Sequence, residues 1–191
     1  MIKLMEIKGI MKDFALNNFT NEELENVIRK LLDRNGFASQ KVDAPMPKQQ
    51  PEAFRIRVMQ PLKFGVEIIK PNPLKDFIII GGRLNVSPPH QEAIEKMDAS
   101  VRDKMFEDLR VSLAMQKPNY KMNIIGHKFT AIEMMLPIFV VPQTFGRDLF
   151  DGMDIINKMF FYAIFVMQKY FRESGVSVPT SQGQSSSQFY L

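Results

Sequence analysis

The chain has 191 residues, with 25 Lys+Arg against 21 Asp+Glu, two His, no Cys and no Trp, and a net charge of +4. A chain of this length buries roughly 70% of its unfolded surface and needs neither disulfides nor a structural metal to fold. The lack of cysteine excludes disulfide frameworks, thiolate-bound zinc, iron–sulfur clusters and thiol nucleophiles together, and two histidines make any His-based metal site depend on carboxylates.

The first residues, Met1-Ile2-Lys3-Leu4-Met5-Glu6-Ile7-Lys8, carry charges every few positions and lack the apolar stretch of a signal peptide. A cytoplasmic protein is therefore expected. Residues 1–18 read as an N-terminal segment. Thr20-Asn21-Glu22-Glu23 is a capping box, with Phe19 and Leu24 placed for a hydrophobic staple. Leu24, Val27, Ile28, Leu31 and Leu32 line one helical face, and Asn35-Gly36 supplies the stop, which brings Phe37 over Leu32. From 38 to 52 the chain carries Pro45, Pro47 and Pro51 and no apolar period, as a loop does.

Three strands are expected next. Phe54, Ile56 and Val58 alternate with Arg55, Arg57 and Met59, and Phe64, Val66 and Ile68 alternate with Gly65, Glu67 and Ile69. A three-residue loop between them pairs Met59 with Lys63 and sets Arg55 opposite Glu67. The third run, 76–86, starts apolar at Phe77-Ile78-Ile79-Ile80, and Gly81-Gly82 reads as a bulge or bend. A second helix follows over about 90–116, with Ile94, Met97, Val101, Met105, Leu109 and Leu113 as its buried stripe. A fourth strand covers Tyr120, Met122 and Ile124. The fifth runs from Ile132 to Val141, where Pro137 argues for an edge or a bulge.

The last helix is expected from about Gly146 to Arg172, with Asp148, Asp151 and Asp154 near its positive end. Its most apolar stretch, Met159 to Met167, has about half the roughly 20 residues of a membrane span and is closely bounded by charges, so no membrane partner is expected. It is apolar almost all the way round, more than one sheet can cover. Phe160, Phe161, Ile164 and Phe165 are therefore the expected dimer or partner surface, covered by a second copy or by the N-terminal segment. Beyond Glu173 no side chain is charged, and 173–191 reads as a flexible tail that ends in Phe189-Tyr190-Leu191.

The result is a single α+β domain over 19–172 with element order α-β-β-β-α-β-β-α. That order resembles the type III secretion chaperone-like fold shared by secretion chaperones and YbjN-like proteins, and small uncharacterised prokaryotic proteins, archaeal ones among them, carry it too. The resemblance implies a twisted five-stranded antiparallel sheet with three helices packed on it, commonly as a homodimer that binds other proteins and has no active site. Secretion chaperones are typically acidic and smaller, which argues against a secretion role for this basic chain.

Enzyme templates fail on residue type. His90-Gln91-Glu92 has the spacing of a zinc deaminase motif without its cysteines, and Gly81-Gly82-Arg83 lacks the glycine spacing and the Lys-Ser/Thr ending of a phosphate loop. Gly175 to Pro179 is one residue short of a nucleophile elbow. No catalytic residue, metal or cofactor is assigned. An acid–histidine site would need His90 or His127 beside two carboxylates. Charge is the more informative feature. Residues 53–86 hold Arg55, Arg57, Lys63, Lys70, Lys75 and Arg83 against Glu67 and Asp76, an excess equal to that of the whole chain. These six cations are the candidate binding face. An acidic protein is favoured over nucleic acid because no aromatic interleaves with them. The expected function is a non-enzymatic interaction or chaperone-like module, with itself and an unidentified protein as partners and weak nucleic-acid binding through 53–86 as the alternative.

Overall fold

Thr20 opens the helix α1 (Asn21–Arg34) in the computed structural model, which describes residues 20–42, 52–62, 64–72, 76–126 and 128–175. The Glu23 amide donates to Thr20 Oγ1 at 3.2 Å and the Thr20 amide donates to Glu23 Oε2 at 2.8 Å, which closes the capping box. Those bonds hold the Glu23 carboxyl below its ordinary value. Leu24, Val27, Ile28, Leu31 and Leu32 are all buried, each stabilising by roughly 1.5–3 kcal/mol. At the other end Gly36 takes φ +76, and the Phe37 amide donates to the Leu32 carbonyl at 3.0 Å, closing a Schellman turn. The Phe37 ring then stacks on Phe150, with centroids 5.4 Å apart. The staple residue Phe19 lies outside the described residues.

The loop expected over 38–52 begins as a strand. β1 (Ala38–Lys41) pairs antiparallel with β2 (Glu52–Gln60), while residues 43–51 lie outside the described part. β1 is short, polar and largely exposed, so no apolar alternation announces it. Glu25 of α1 ties it down, accepting from Lys41 Nζ at 3.0 Å and from Arg29 Nε at 3.0 Å. With β3 (Val66–Pro71), β4 (Phe77–Asn85), β5 (Asn119–Ile125) and β6 (Lys128–Phe139), the sheet has six strands where five were expected, in the order β1-β2-β3-β4-β6-β5.

β2 and β3 share an apolar face as expected, but their register differs. Val58 pairs with Val66 and Ile56 with Ile68, so Arg57 and not Arg55 stands opposite Glu67. A slip of two residues preserves which side chains face inward, and the apolar pattern therefore cannot tell the two registers apart. The bulge expected at Gly81-Gly82 gives way to a regular strand, in which Gly81 pairs with Glu67 and β4 continues to Asn85. Pro137 lies two residues past the last β5–β6 pair, Asn119↔Met135, where it removes no bond from that ladder.

The second expected helix is two. α2 (Pro88–Lys96) ends where Met97 turns extended at ψ 147, and Asp98 caps α3 (Ala99–Ala114) by accepting from the Ser100 amide at 2.9 Å. The apolar stripe runs through the break, with Ile94, Met97, Met105, Leu109 and Leu113 all buried. That continuity concealed the cap. α4 (Phe145–Glu173) makes four helices among the described residues, where three were expected. Among the described residues no helix is long and apolar enough to cross a membrane.

The described residues form two compact units, 20–81 with 136–154 and 82–135 with 155–175, and β4, β6 and α4 run through both. Within the first, Gly152 is the close approach of α4 to the strands: a Cβ there would lie 2.7 Å from Ile80 Cδ1 and 3.2 Å from Ile138 Cδ1. Within the second, Phe106 meets Phe129 edge-on at 5.5 Å, and the buried Tyr170 donates its hydroxyl to Asp108 Oδ2 at 2.6 Å. The bond to Asp108, with burial and the carboxylate charge behind it, pushes Tyr170 up to about 12.

Two outcomes follow. Thr20→Ala removes the cap and should cost about 1 kcal/mol in urea denaturation at neutral pH. Tyr170 ionises near 10 when unfolded, so its contribution is whole below pH 10 and is lost as pH rises towards about 12. Tyr170→Phe should cost about 1 kcal/mol at neutral pH and reduce that alkaline loss, as urea midpoints measured across the interval will read.

Candidate functional site

The outward positions of β2 and β3 carry the first candidate. Pleating sends Phe54, Ile56 and Val58 into the core and turns Arg55 and Arg57 outward, where two carboxylates meet them. Glu52 takes Arg55 in a two-pronged contact, Nη2 to Oε1 at 2.6 Å and Nε to Oε2 at 3.0 Å. Glu67 spans both arginines, 3.1 Å from Arg55 Nη1 and 2.7 Å from Arg57 Nη2. Gly81, across from Glu67, adds no side chain beside this network. The Glu52 bonds, opposed by partial burial and reinforced by Glu67, raise the pKa of Arg55, so its guanidinium stays charged.

Lys70 goes the other way. It continues the inward series of Val66 and Ile68, is 2% exposed, and donates from Nζ to the Phe77 carbonyl at 3.1 Å. Burial pushes its ammonium below the ordinary lysine value, against the pull of Asp76. It therefore stands in the core layer and not on the cationic face where the count of charges over 53–86 had put it. Arg83 donates to Glu133 Oε1 at 2.9 Å, the same oxygen that accepts from Asn123, and to Asn85 Oδ1 at 2.9 Å. Lys63 and Lys75 lie outside the described residues. The basic segment is thus drawn apart: Arg55 and Arg57 are joined by Glu67, Arg83 is bound to Glu133, and Lys70 is inside. Glu52, one residue before the charge-rich window, is the acid that counting over 53–86 left out.

The histidine candidate is built differently. Ser87 is the N-cap of α2 and His90 its third residue, with Ser87 Oγ 2.6 Å from His90 Nδ1. The imidazole occupies the place that a capping-box carboxylate would take. Its ring centroid lies 5.4 Å from that of Phe171, and burial lowers its pKa. This pair fastens the start of α2. Among the described residues no group of three or more His, Cys, Asp or Glu could hold a metal ion, and His127 lies outside them.

α4 carries the apolar candidate. Of the four residues expected on a partner surface, Phe160 is 1% exposed and belongs to the core, as Ala163, Met167 and Tyr170 do. Ile164 is half-buried. Phe161 and Phe165 are exposed at 40% and 62%, and Tyr162, which the apolar run did not single out, joins them at 57%. The three aromatics sit at i, i+1 and i+4, adjacent on one helix face, with the exposed Lys158 and Lys169 beyond them. Helical spacing from Phe165 would have found Tyr162. Phe139 and Val141 are also exposed, at 64% and 44%, but Phe139 already packs edge-on against Phe77 at 6.4 Å. The tail residues Phe189-Tyr190-Leu191 lie outside the described part.

No curated protein matches the chain. Among solved structures, an uncharacterized protein from Methanothermobacter thermautotrophicus is similar over 80% of this chain and 99% of that one, with 21% identity and a TM-score of 0.66, which shows a common fold. YbjN of E. coli covers 79% of this chain and 95% of its own at 13% identity, with a TM-score of 0.48. The model of a family described as an uncharacterized conserved protein, DUF2299, matches residues 24–167, from the first buried turn of α1 to well along α4, and the chain belongs to that family.

Proposed function

We propose that this protein is a non-enzymatic, chaperone-like interaction module that works as a homodimer and docks through the outer face of α4. The observation that carries the reading is the exposure of Phe161, Tyr162 and Phe165 side by side on that helix. Fully burying such a ring contributes roughly 1.5–3 kcal/mol, and half-exposed rings keep about half of that for a partner. An aromatic centre with polar residues at its edges, here Lys158 and Lys169, is the usual make-up of a contact surface. Among the polar groups with displaced ionisation, His90 is bonded to Ser87 and Tyr170 to Asp108, which supports a binding role over chemistry. Nucleic-acid binding through 53–86 draws less support, because Arg55 and Arg57 already hold Glu52 and Glu67. A chain without cysteine makes no call on an oxidising compartment, in keeping with the cytoplasm as its place of action.

Sedimentation velocity at micromolar concentration tests this. The wild type should run as a dimer, and Phe161→Ser with Phe165→Ser should weaken association by at least about tenfold, while Phe165→Ser alone, at a side chain 62% exposed, should weaken it with the urea midpoint unchanged. A wild type that stays monomeric throughout, or a double variant that associates as the wild type does, would overturn the reading.

A further inference from the structure

α4 bears more than aromatics on its outer face. Asp151 and Asp154 are exposed near its start, Lys158 follows, the rings of Phe161, Tyr162 and Phe165 occupy the middle, and Lys169 and Arg172 are exposed near its end. Successive members are three or four residues apart, with Tyr162 beside Phe161, so all fall on one stripe of a single helix. The acids are not explained by the helix dipole. Its effect fades within the first turn, which holds only Asp148, whereas Asp151 and Asp154 lie in the second and third.

Resting on the α4 docking face proposed above, we infer that the occupant is a second copy of the same face, with the two helices antiparallel about a two-fold axis between Phe161 and Tyr162. In that register Phe161 of one copy meets Tyr162 of the other, Lys158 lies over Phe165, Asp154 meets Lys169 and Asp151 meets Arg172. Every contact occurs twice, as an isologous interface requires. The central rings are buried, Lys158 gains a cation–π contact, and acids meet bases at both ends. Lys169 is only loosely held within its own chain, 3.8 Å from Asp108 and 5.0 Å above the Tyr170 ring, and can turn to a new carboxylate. The stripe also discriminates among partners. A uniformly acidic helix would suit Lys169 and Arg172 but meet Asp151 and Asp154 unfavourably, and a parallel second copy would set like charges together. The antiparallel copy alone satisfies both ends.

Two charge-reversed forms of the full chain decide the matter. Asp151→Lys with Asp154→Lys makes both ends of the stripe basic, and Lys169→Glu with Arg172→Glu makes both ends acidic, with Lys158 kept in each. Each alone should associate at least about tenfold more weakly than the wild type in sedimentation, and an equimolar mixture should recover a heterodimer that weakens with added salt. Because the chain has no cysteine, Tyr162→Cys gives a second readout that does not depend on the charge variants folding. Mild oxidation should link it into dimers, whereas the exposed Val111→Cys on α3 should stay unlinked. If the wild type is a dimer that the aromatic substitutions break but the reversals leave intact, or if the mixture stays apart, the antiparallel pairing is overturned while the docking face stands. A monomeric wild type overturns both.

Discussion

The pleat of β2 and β3 governs much of this molecule. With Ile56 opposite Ile68 and Val58 opposite Val66, every second side chain is committed to the core and the rest to the outer surface. The charges are sorted by the same alternation. Arg55, Arg57 and Glu67 turn outward into one hydrogen-bonded network, while Lys70, only three residues after Glu67, points inward to the carbonyl of Phe77. Arg55 and Arg57, which make this segment basic in composition, thus meet carboxylates, because parity decides which charges share a face and Glu52 at the start of β2 completes the pairing.

α4 poses the complementary problem. A helix of 29 residues with an apolar middle offers more apolar surface than one stripe buries, and Phe160, Ala163, Met167, Tyr170 and Phe171 make up the stripe that is buried. What remains outside is Asp151 and Asp154, then Lys158, then the aromatics, then Lys169 and Arg172. Its buried apolar side holds the helix, and the Tyr170 to Asp108 bond anchors it within its unit.

How much of this was legible depended on whether a signal was local. α1 could be read whole, because its cap, apolar face and glycine stop lie within about four turns and need no distant partner. The strands were legible as apolar alternations, but their register was not, since pairing Arg57 or Arg55 with Glu67 leaves the same residues buried. β1 escaped notice because an exposed edge strand of Ala, Ser, Gln and Lys has no burial pattern to display. The break at Met97 was concealed by a stripe that stays in phase across it. Among the candidate site residues, Phe161 and Phe165 are exposed, Phe160 was misplaced because a run of apolar residues does not say which way each one points, and Tyr162, within the same run, was left out of the four.

The sequence by itself determined the class of the fold, the limits of most elements, the absence of cysteine chemistry and the place where the positive charge is concentrated, all of which follow from residue type and spacing along the chain. Only the tertiary structure decided that Arg55, Arg57 and Arg83 each hold a carboxylate, that Lys70 is inside, and that Phe161, Tyr162 and Phe165 stand exposed on α4. Those outcomes depend on which residues from distant parts of the chain come within a few ångströms of one another. Spacing along a strand or helix fixes a face, but whether that face meets an acid, a core or water is settled by its neighbours in space.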